Sequence, residues 1–286
     1  MRVYLRLGRV SNLPTVWTNC AAASVLAGGK PDGTAFALLA ISLSLLYISG
    51  MYLNDAFDQE FDRKYRAERP IPSGEISGRN VYGIGFGLMA AGLVLLAVTN
   101  PRIEVLALGL ALAGLIVYYD YRHKKDPASP LIMALCRALV YLTTAAAVAS
   151  AASALSPRVM AGAAMLTAYM IGLTYVAKQE NLKEVKNLWP LALLAAPFLY
   201  AAPVFLRFDR YTFLYAIFLV WVLYSMSHLV SKTRRNIPRA VVSLIAGISL
   251  LDGTLIASVA NEAAWSWAGI AGFLLTLLFQ RYVPGT

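Results

Sequence analysis

The sequence predicts an all-α fold, a polytopic transmembrane helical bundle of nine to ten spans, and three observations carry that prediction. The 286-residue chain is 59% hydrophobic and only 14% charged, with a mean hydropathy of +0.61, outside the range of ordinary soluble domains. Apolar runs of about 16 to 24 residues recur from end to end, each long enough or nearly so for a hydrocarbon core of ~30 Å. They lack the period-two alternation of strands, and backbone groups in lipid must be satisfied within a helix or a closed barrel.

Taken in order, the runs cover residues 13–28, 34–53, 80–98, 103–120, 130–152, 159–177, 189–206, 211–230, 240–260 and 264–283, and the chain reads as a single membrane domain over 1–286. Basic residues before an apolar run give residues 1–28 the outline of a signal peptide. Ser11, Asn12, Thr15, Thr18 and Asn19 make that run too polar for one. Arg2, Arg6 and Arg9 instead share a helix face leading into the first span. Arg9 and Asn12 are candidates for the mouth of a site, although topology and helix capping explain them equally well.

Most of the 25 Lys and Arg fall in alternate loops, an asymmetry that predicts a cytoplasmic amino terminus. The same asymmetry explains the net charge of +10, so no nucleic-acid partner is expected. Cys20 and Cys136 both lie in apolar runs, which argues against a disulfide framework or a Cys-rich metal site.

The second span runs into Asn54-Asp55-Ala56-Phe57-Asp58-Gln59-Glu60-Phe61-Asp62, followed by Arg63, Lys64, Arg66 and the turn-rich Arg69-Pro70-Ile71-Pro72-Ser73-Gly74. At 100° per residue Asn54, Asp58, Asp62 and Asp55 project at about 0°, 40°, 80° and 100°, so one helix end presents an amide and three carboxylates in a single sector. An ordinary charged connector does not require that four-residue interval. The Arg-Pro-Ile-Pro-Ser-Gly segment cannot continue as a regular helix and is a candidate functional loop.

The third and fourth spans form a hairpin around Asn100-Pro101, which returns the chain to the same face at Tyr118-Tyr119-Asp120-Tyr121-Arg122-His123-Lys124-Lys125. These residues suit an anionic ligand, with Lys124 favoured. An interfacial aromatic belt with positive-inside charges accounts for much of the same pattern. Arg137 lies about two turns past Pro130 inside the fifth span. An arginine there normally faces a partner or a wet cavity, here a diphosphate or a structural carboxylate.

The sixth span ends in Tyr175-Val176-Ala177-Lys178-Gln179-Glu180-Asn181, and Glu180 and Glu184 are a turn apart, a second carboxylate pair on the same face. Beyond Trp189 the sequence reads as scaffold, with Pro190, Pro197 and Pro203 able to kink the seventh span. Asp252, between Leu251 and Gly253, is the exception. It is expected to face the bundle interior, more as a hydrogen-bonded packing residue than as a functional group.

Two carboxylate-bearing helix ends with Arg and Lys nearby suit Mg2+ and a diphosphate. Mg2+ prefers octahedral oxygen coordination by one or two carboxylates and phosphate oxygens; Arg and Lys clamp the departing diphosphate. An isoprenoid tail would lie in the apolar bundle. Tyr118, Tyr119 or Tyr175 could then stabilise an allylic cation through their ring faces.

The run Asn54-Asp55-x-x-Asp58-x-x-x-Asp62, then Arg69-Pro70-x-Pro72-Ser73-Gly74, resembles the first signature of the UbiA superfamily of intramembrane prenyltransferases. Arg9, Asn12 and Pro14 are similar to that family's first-helix entry, and Tyr119 with Lys124-Lys125 to its tyrosine-to-basic-pair segment. The resemblance implies Mg2+-dependent transfer of a prenyl group from a polyprenyl diphosphate to an aromatic or other lipophilic acceptor, by an integral protein of a bacterial inner membrane. It further implies that Asn54, Asp58 and Asp62 hold the metal–diphosphate complex, with Asp55 nearby and Arg69 and Lys124 on phosphate. The second Asp-rich signature is replaced by Lys178-Gln179-Glu180-Asn181-x-x-Glu184, a departure that resembles the divergent EboC-like subgroup; Glu180 and Glu184 would be its metal ligands.

That departure supports one alternative, a prenyl-lipid binding or transport protein with degraded catalysis. A CDP-alcohol phosphotransferase is disfavoured because its Asp-Gly-x-x-Ala-Arg pattern is absent. No pair of Gly/Pro-broken spans supports an ion-coupled transporter.

Overall fold

The computed structural model describes residues 2–124, 126–178, 189–230, 236–259 and 263–285, and among them every regular element is helical. A short α1 (Arg2–Leu7) leads through Arg9 and a 3-10 turn, Val10–Asn12, into α2 (Leu13–Leu26). Arg9 takes a left-handed conformation, φ 41° and ψ 46°, which turns the chain into the bundle. Long α3 (Gly33–Phe57) is followed by α4 (Gln59–Tyr65), and a loop leads to α5 (Gly78–Thr99). That loop turns at Gly74, φ 81°, a conformation that costs glycine little. Ser77 caps α5 by accepting the Asn80 amide hydrogen bond.

The hairpin at Asn100 joins α5 to α6 (Ile103–Arg122), then come α7 (Ser129–Val148), α8 (Ala151–Ala154) and α9 (Pro157–Lys178). The run beginning at Trp189 is not one kinked span but three short pieces, a 3-10 stretch Trp189–Ala195, α10 (Ala196–Tyr200) and α11 (Ala202–Phe205). Pro190, Pro197 and Pro203 each remove an amide donor. The chain ends with α12 (Thr212–Val230), α13 (Ile237–Ala257) and α14 (Trp267–Gln280).

Seven helices among the described residues are long and apolar enough to cross a membrane: α3, α5, α6, α7, α9, α12 and α13. The expected first, seventh and tenth spans are shorter. α2 has 14 residues, about 21 Å against a core of ~30 Å. It lies inside the bundle, buried along nearly its whole length.

α13 is the centre of the bundle: 89% of its apolar window is buried, against 28% for α5, α6 and α12. It packs on α2, α9, α12 and α14. Its contact with α14 is made by paired glycines; a Cβ on Gly269 would stand 2.6 Å from the Ser249 carbonyl oxygen and 2.7 Å from the Gly253 Cα. Small residues allow this close approach where no hydrophobic force drives helices together.

Candidate active site

A cavity of about 620 Å3 opens among α2, α3, α6, α7, α9 and α13. Of the expected site residues, Arg9, Asn12, Asn54, Asp58, Arg69, Tyr119, Lys124 and Arg137 line it. Between the polar groups its wall is apolar, with Val16, Met133, Val140, Met170, Leu173 and Ile245.

The amide and carboxylate sector folds as its spacing predicts. α3 ends at Phe57, but the hydrogen-bond ladder runs on, Asp58 N to Asn54 O at 3.0 Å and Asp62 N to Asp58 O at 2.9 Å. Asn54, Asp55, Asp58 and Asp62 are all buried. Each of these three aspartates meets a cation from elsewhere. Asp55 Oδ1 pairs with Arg9 Nη2 at 3.2 Å and Arg69 Nη1 at 3.1 Å. Arg69 also holds Asp62 Oδ2 at 3.0 Å. Asp58 Oδ2 accepts from Lys124 Nζ at 2.9 Å, with His123 Nε2 at 3.5 Å.

Burial pushes the Asp58 carboxyl up, but the hydrogen bonds and charges of His123 and Lys124 outweigh it and hold the group below its ordinary value. At Asp62 burial wins over Arg69 and raises the carboxyl.

Asp120, which the sequence reading passed over, completes the cluster. Its Oδ1 accepts from Asn54 Nδ2 at 3.1 Å, tying the end of α6 to the end of α3. His123 stacks on Tyr119 at 5.0 Å, and Lys124 Nζ stands 3.4 Å from the Phe61 ring centroid. The available signal was an acid in the last turn of an apolar helix. His123 and Phe61 carried no signal of their own.

Other expected residues are placed differently. Tyr118 is exposed on the far side of α6, its hydroxyl 3.4 Å from Asp126, because consecutive residues on a helix point 100° apart. Tyr175 also lies outside the lining, whereas Thr174 and Ala177 face the cavity. Asn12 donates to the Gly285 carbonyl at 2.8 Å and accepts from Gln280 at 3.1 Å, so its amide secures the 280–285 segment. Pro238, Val241, Ile245, Ile248 and Gly285 also line the cavity; the carboxy-terminal part of the chain is wall as well as scaffold. Glu180 and Glu184 lie outside the described residues, as does Lys125.

Among the described residues no three acidic, His or Cys side chains converge as a metal site. The aspartates are instead paired with cations, Asp55 with Arg9 and Arg69, Asp62 with Arg69, and Asp58 with Lys124. The donor chemistry nonetheless fits a hard cation. Two buried carboxylate oxygens, Asp62 Oδ1 and Asp120 Oδ2, have no hydrogen-bond partner among the described residues, and unpaired buried acceptors of this kind are costly unless something binds them.

The UbiA prenyltransferase family model matches residues 15–242. A digeranylgeranylglyceryl phosphate synthase of Methanopyrus kandleri is 32% identical over 128 residues, 44% of this chain and 46% of that protein. A 4-hydroxybenzoate octaprenyltransferase of Paracidovorax citrulli is 35% identical over 103 residues, 33% of this chain and 35% of that protein. The chain thus spans less than half the length of these two relatives. A UbiA homologue from Archaeoglobus fulgidus, bound to DMAPP and Mg2+, has the same fold, with a TM-score of 0.54 and 16% identity over 98% of both chains.

Proposed function

The chain belongs to the UbiA prenyltransferase family, and on that premise we propose that it transfers a prenyl group from a prenyl diphosphate to a lipophilic acceptor inside the membrane, with Mg2+. The observation that carries this reading is the join of two environments. A carboxylate–amide cluster ringed by Arg9, Arg69, His123 and Lys124 stands on a cavity whose remaining wall is mostly apolar.

Asn54, Asp58, Asp62 and Asp120 would hold the cation. Bound there, Mg2+ would neutralise charge on the departing diphosphate. Lys124 and Arg69 are hydrogen-bond donors that can exchange a carboxylate partner for a phosphate oxygen. Asp55, paired to both Arg9 and Arg69, keeps those guanidinium groups in place. Tyr119 and Tyr47 line the cavity, and aromatic rings there would suit a developing allylic cation, while the apolar part of the wall excludes water from it. The positive-inside pattern supports a mouth facing the cytoplasm, and a bacterial inner membrane remains part of the proposal.

Release of diphosphate from prenyl diphosphates of graded length, with Mg2+ and purified protein in lipid nanodiscs, tests the reading. Turnover that depends on Asp58 is expected. A protein that binds prenyl diphosphates but shows no Asp58-dependent release with any of them is a binder or carrier.

A further inference from the structure

Arg137 is the most deeply placed charged group lining the cavity, and the donor machinery does not touch it. α7 starts on the same side as the end of α6, so at 1.5 Å per residue Arg137 lies roughly 12 Å inside its helix. Asn54 and Asp120 stand within about a turn of their helix ends. The guanidinium is buried. Nη1 donates to Asn19 Oδ1 at 2.8 Å and Nη2 to Thr15 Oγ1 at 3.1 Å, and its Cζ lies 5.4 Å from the Tyr47 ring centroid. Among the described residues no ion pair or hydrogen bond joins it to a carboxylate.

Its counter-charge is one residue removed. Asp252, fully buried on α13, accepts from Asn19 Nδ2 at 2.8 Å and Thr18 Oγ1 at 2.6 Å on Oδ2, and from the Tyr141 hydroxyl at 2.5 Å on Oδ1. Asn19 therefore has only one useful orientation, carbonyl toward Arg137 and amide toward Asp252. Thr15 is oriented too, since its hydroxyl donates to the Asn12 carbonyl at 2.7 Å and accepts from Arg137. A guanidinium has five N–H groups, and these contacts engage two.

A buried cation whose purpose was packing would be better stabilised by touching its carboxylate. Here the carboxylate compensates Arg137 through Asn19 without touching it, and Arg137 lines the cavity together with the apolar Val16, Met133, Cys136 and Val140.

We propose that Arg137 recognises an oxyanion, a phosphate or a carboxylate, on the acceptor, and that Asp252 is a positioning residue that orients the guanidinium through Asn19. The inference rests on the prenyl-transfer reading, in which the diphosphate of the donor occupies the outer cluster with Arg69 and Lys124. It deepens that reading by restricting the acceptor to lipophilic molecules with an anionic end.

The test is calorimetric titration of the full chain in nanodiscs with octyl phosphate, octanoate, neutral octanol, and Mg2+ plus inorganic diphosphate. Wild type should bind at least one of the two anionic probes tenfold or more above octanol, and the stronger one names the oxyanion. Arg137→Gln should erase that preference and leave Mg2+–diphosphate binding unchanged. Arg137→Lys should fail to restore it, because a point charge does not reproduce the fork, and Asp252→Asn should weaken it by a smaller factor. The double variant Arg137→Gln/Asp252→Asn balances the buried charges and provides a folded comparison should the single change not fold.

Equal affinity for anionic and neutral probes in wild type overturns the proposal, as does an undiminished preference in a folded Arg137→Gln or double variant. Loss of Mg2+–diphosphate binding in Arg137→Gln also overturns it, by assigning Arg137 to the donor. If Mg2+–diphosphate binding is absent from wild type while the anionic preference depends on Arg137, the oxyanion site stands, and what fails is its assignment to an acceptor of prenyl transfer.

Discussion

Lys124 Nζ and Asp58 Oδ2 are 2.9 Å apart at the cavity mouth, a contact between the end of α6 and the end of α3. In the proposed reaction a metal–diphosphate complex would take both partners and replace this ion pair. Lys124→Met should lower kcat for diphosphate release by about 10²-fold or more, and because it frees Asp58 it should leave Mg2+ affinity unchanged or higher. Steady-state kinetics at several Mg2+ concentrations check this; a lowered Mg2+ affinity with normal kcat would contradict the role.

Asp120 presents one oxygen to Asn54 and leaves the other buried without a partner among the described residues. Asp120→Asn can still accept the Asn54 hydrogen bond while losing its charge. Apparent Mg2+ affinity should fall about 10- to 100-fold, read from the metal dependence of diphosphate release, with the thermal midpoint little changed.

Arg69 bridges two carboxylates, Asp55 and Asp62, from one nitrogen. Arg69→Lys retains the charge but replaces the planar fork with a point charge. A rise in KM for the prenyl diphosphate is expected, with rescue no better than partial at high substrate. Wild-type kinetics in this variant would remove Arg69 from the phosphate site.

Gly269 meets the Ser249 carbonyl and the Gly253 backbone, so there is no flexible side chain to give way. Gly269→Ala should cost about 1–3 kcal/mol by overpacking, seen as a lower unfolding midpoint in detergent. Gly83→Ala, where a Cβ meets nothing within 4 Å, is the matched control and should be neutral or better.

The outer cluster was legible because helical periodicity is local: Asn54, Asp58 and Asp62 share a sector at any tertiary arrangement. Its partners were legible only as residue types. That Lys124 meets Asp58 and Arg9 meets Asp55 depends on how α1, α3 and α6 pack, as does the Asn54–Asp120 contact that the sequence reading lacked. Tyr118 and Tyr119 are adjacent in sequence and opposite in placement, a distinction composition does not carry. Hydropathy found the runs but not their rank in the bundle. α2 reads like a span and has only 14 residues, and the expected scaffold helix α13 supplies cavity wall. Asp252 was read correctly as an interior hydrogen-bonded group, but its link to Arg137 through Asn19 joins three helices distant in sequence.

Because α13 is enclosed on nearly every side, the lipid bilayer reaches the part of the cavity wall that α13 supplies only at second hand. Changes in membrane thickness or fluidity act first on α5, α6 and α12, whose apolar windows are mostly uncovered, and those helices can tilt to follow the membrane. Of these, only α6 carries residues of the outer cluster. Lipid composition should therefore modulate the register of Asp120, and with it the proposed cation end of the site and the wall residues Leu112 and Ile116, while the part of the wall on α13 keeps its shape.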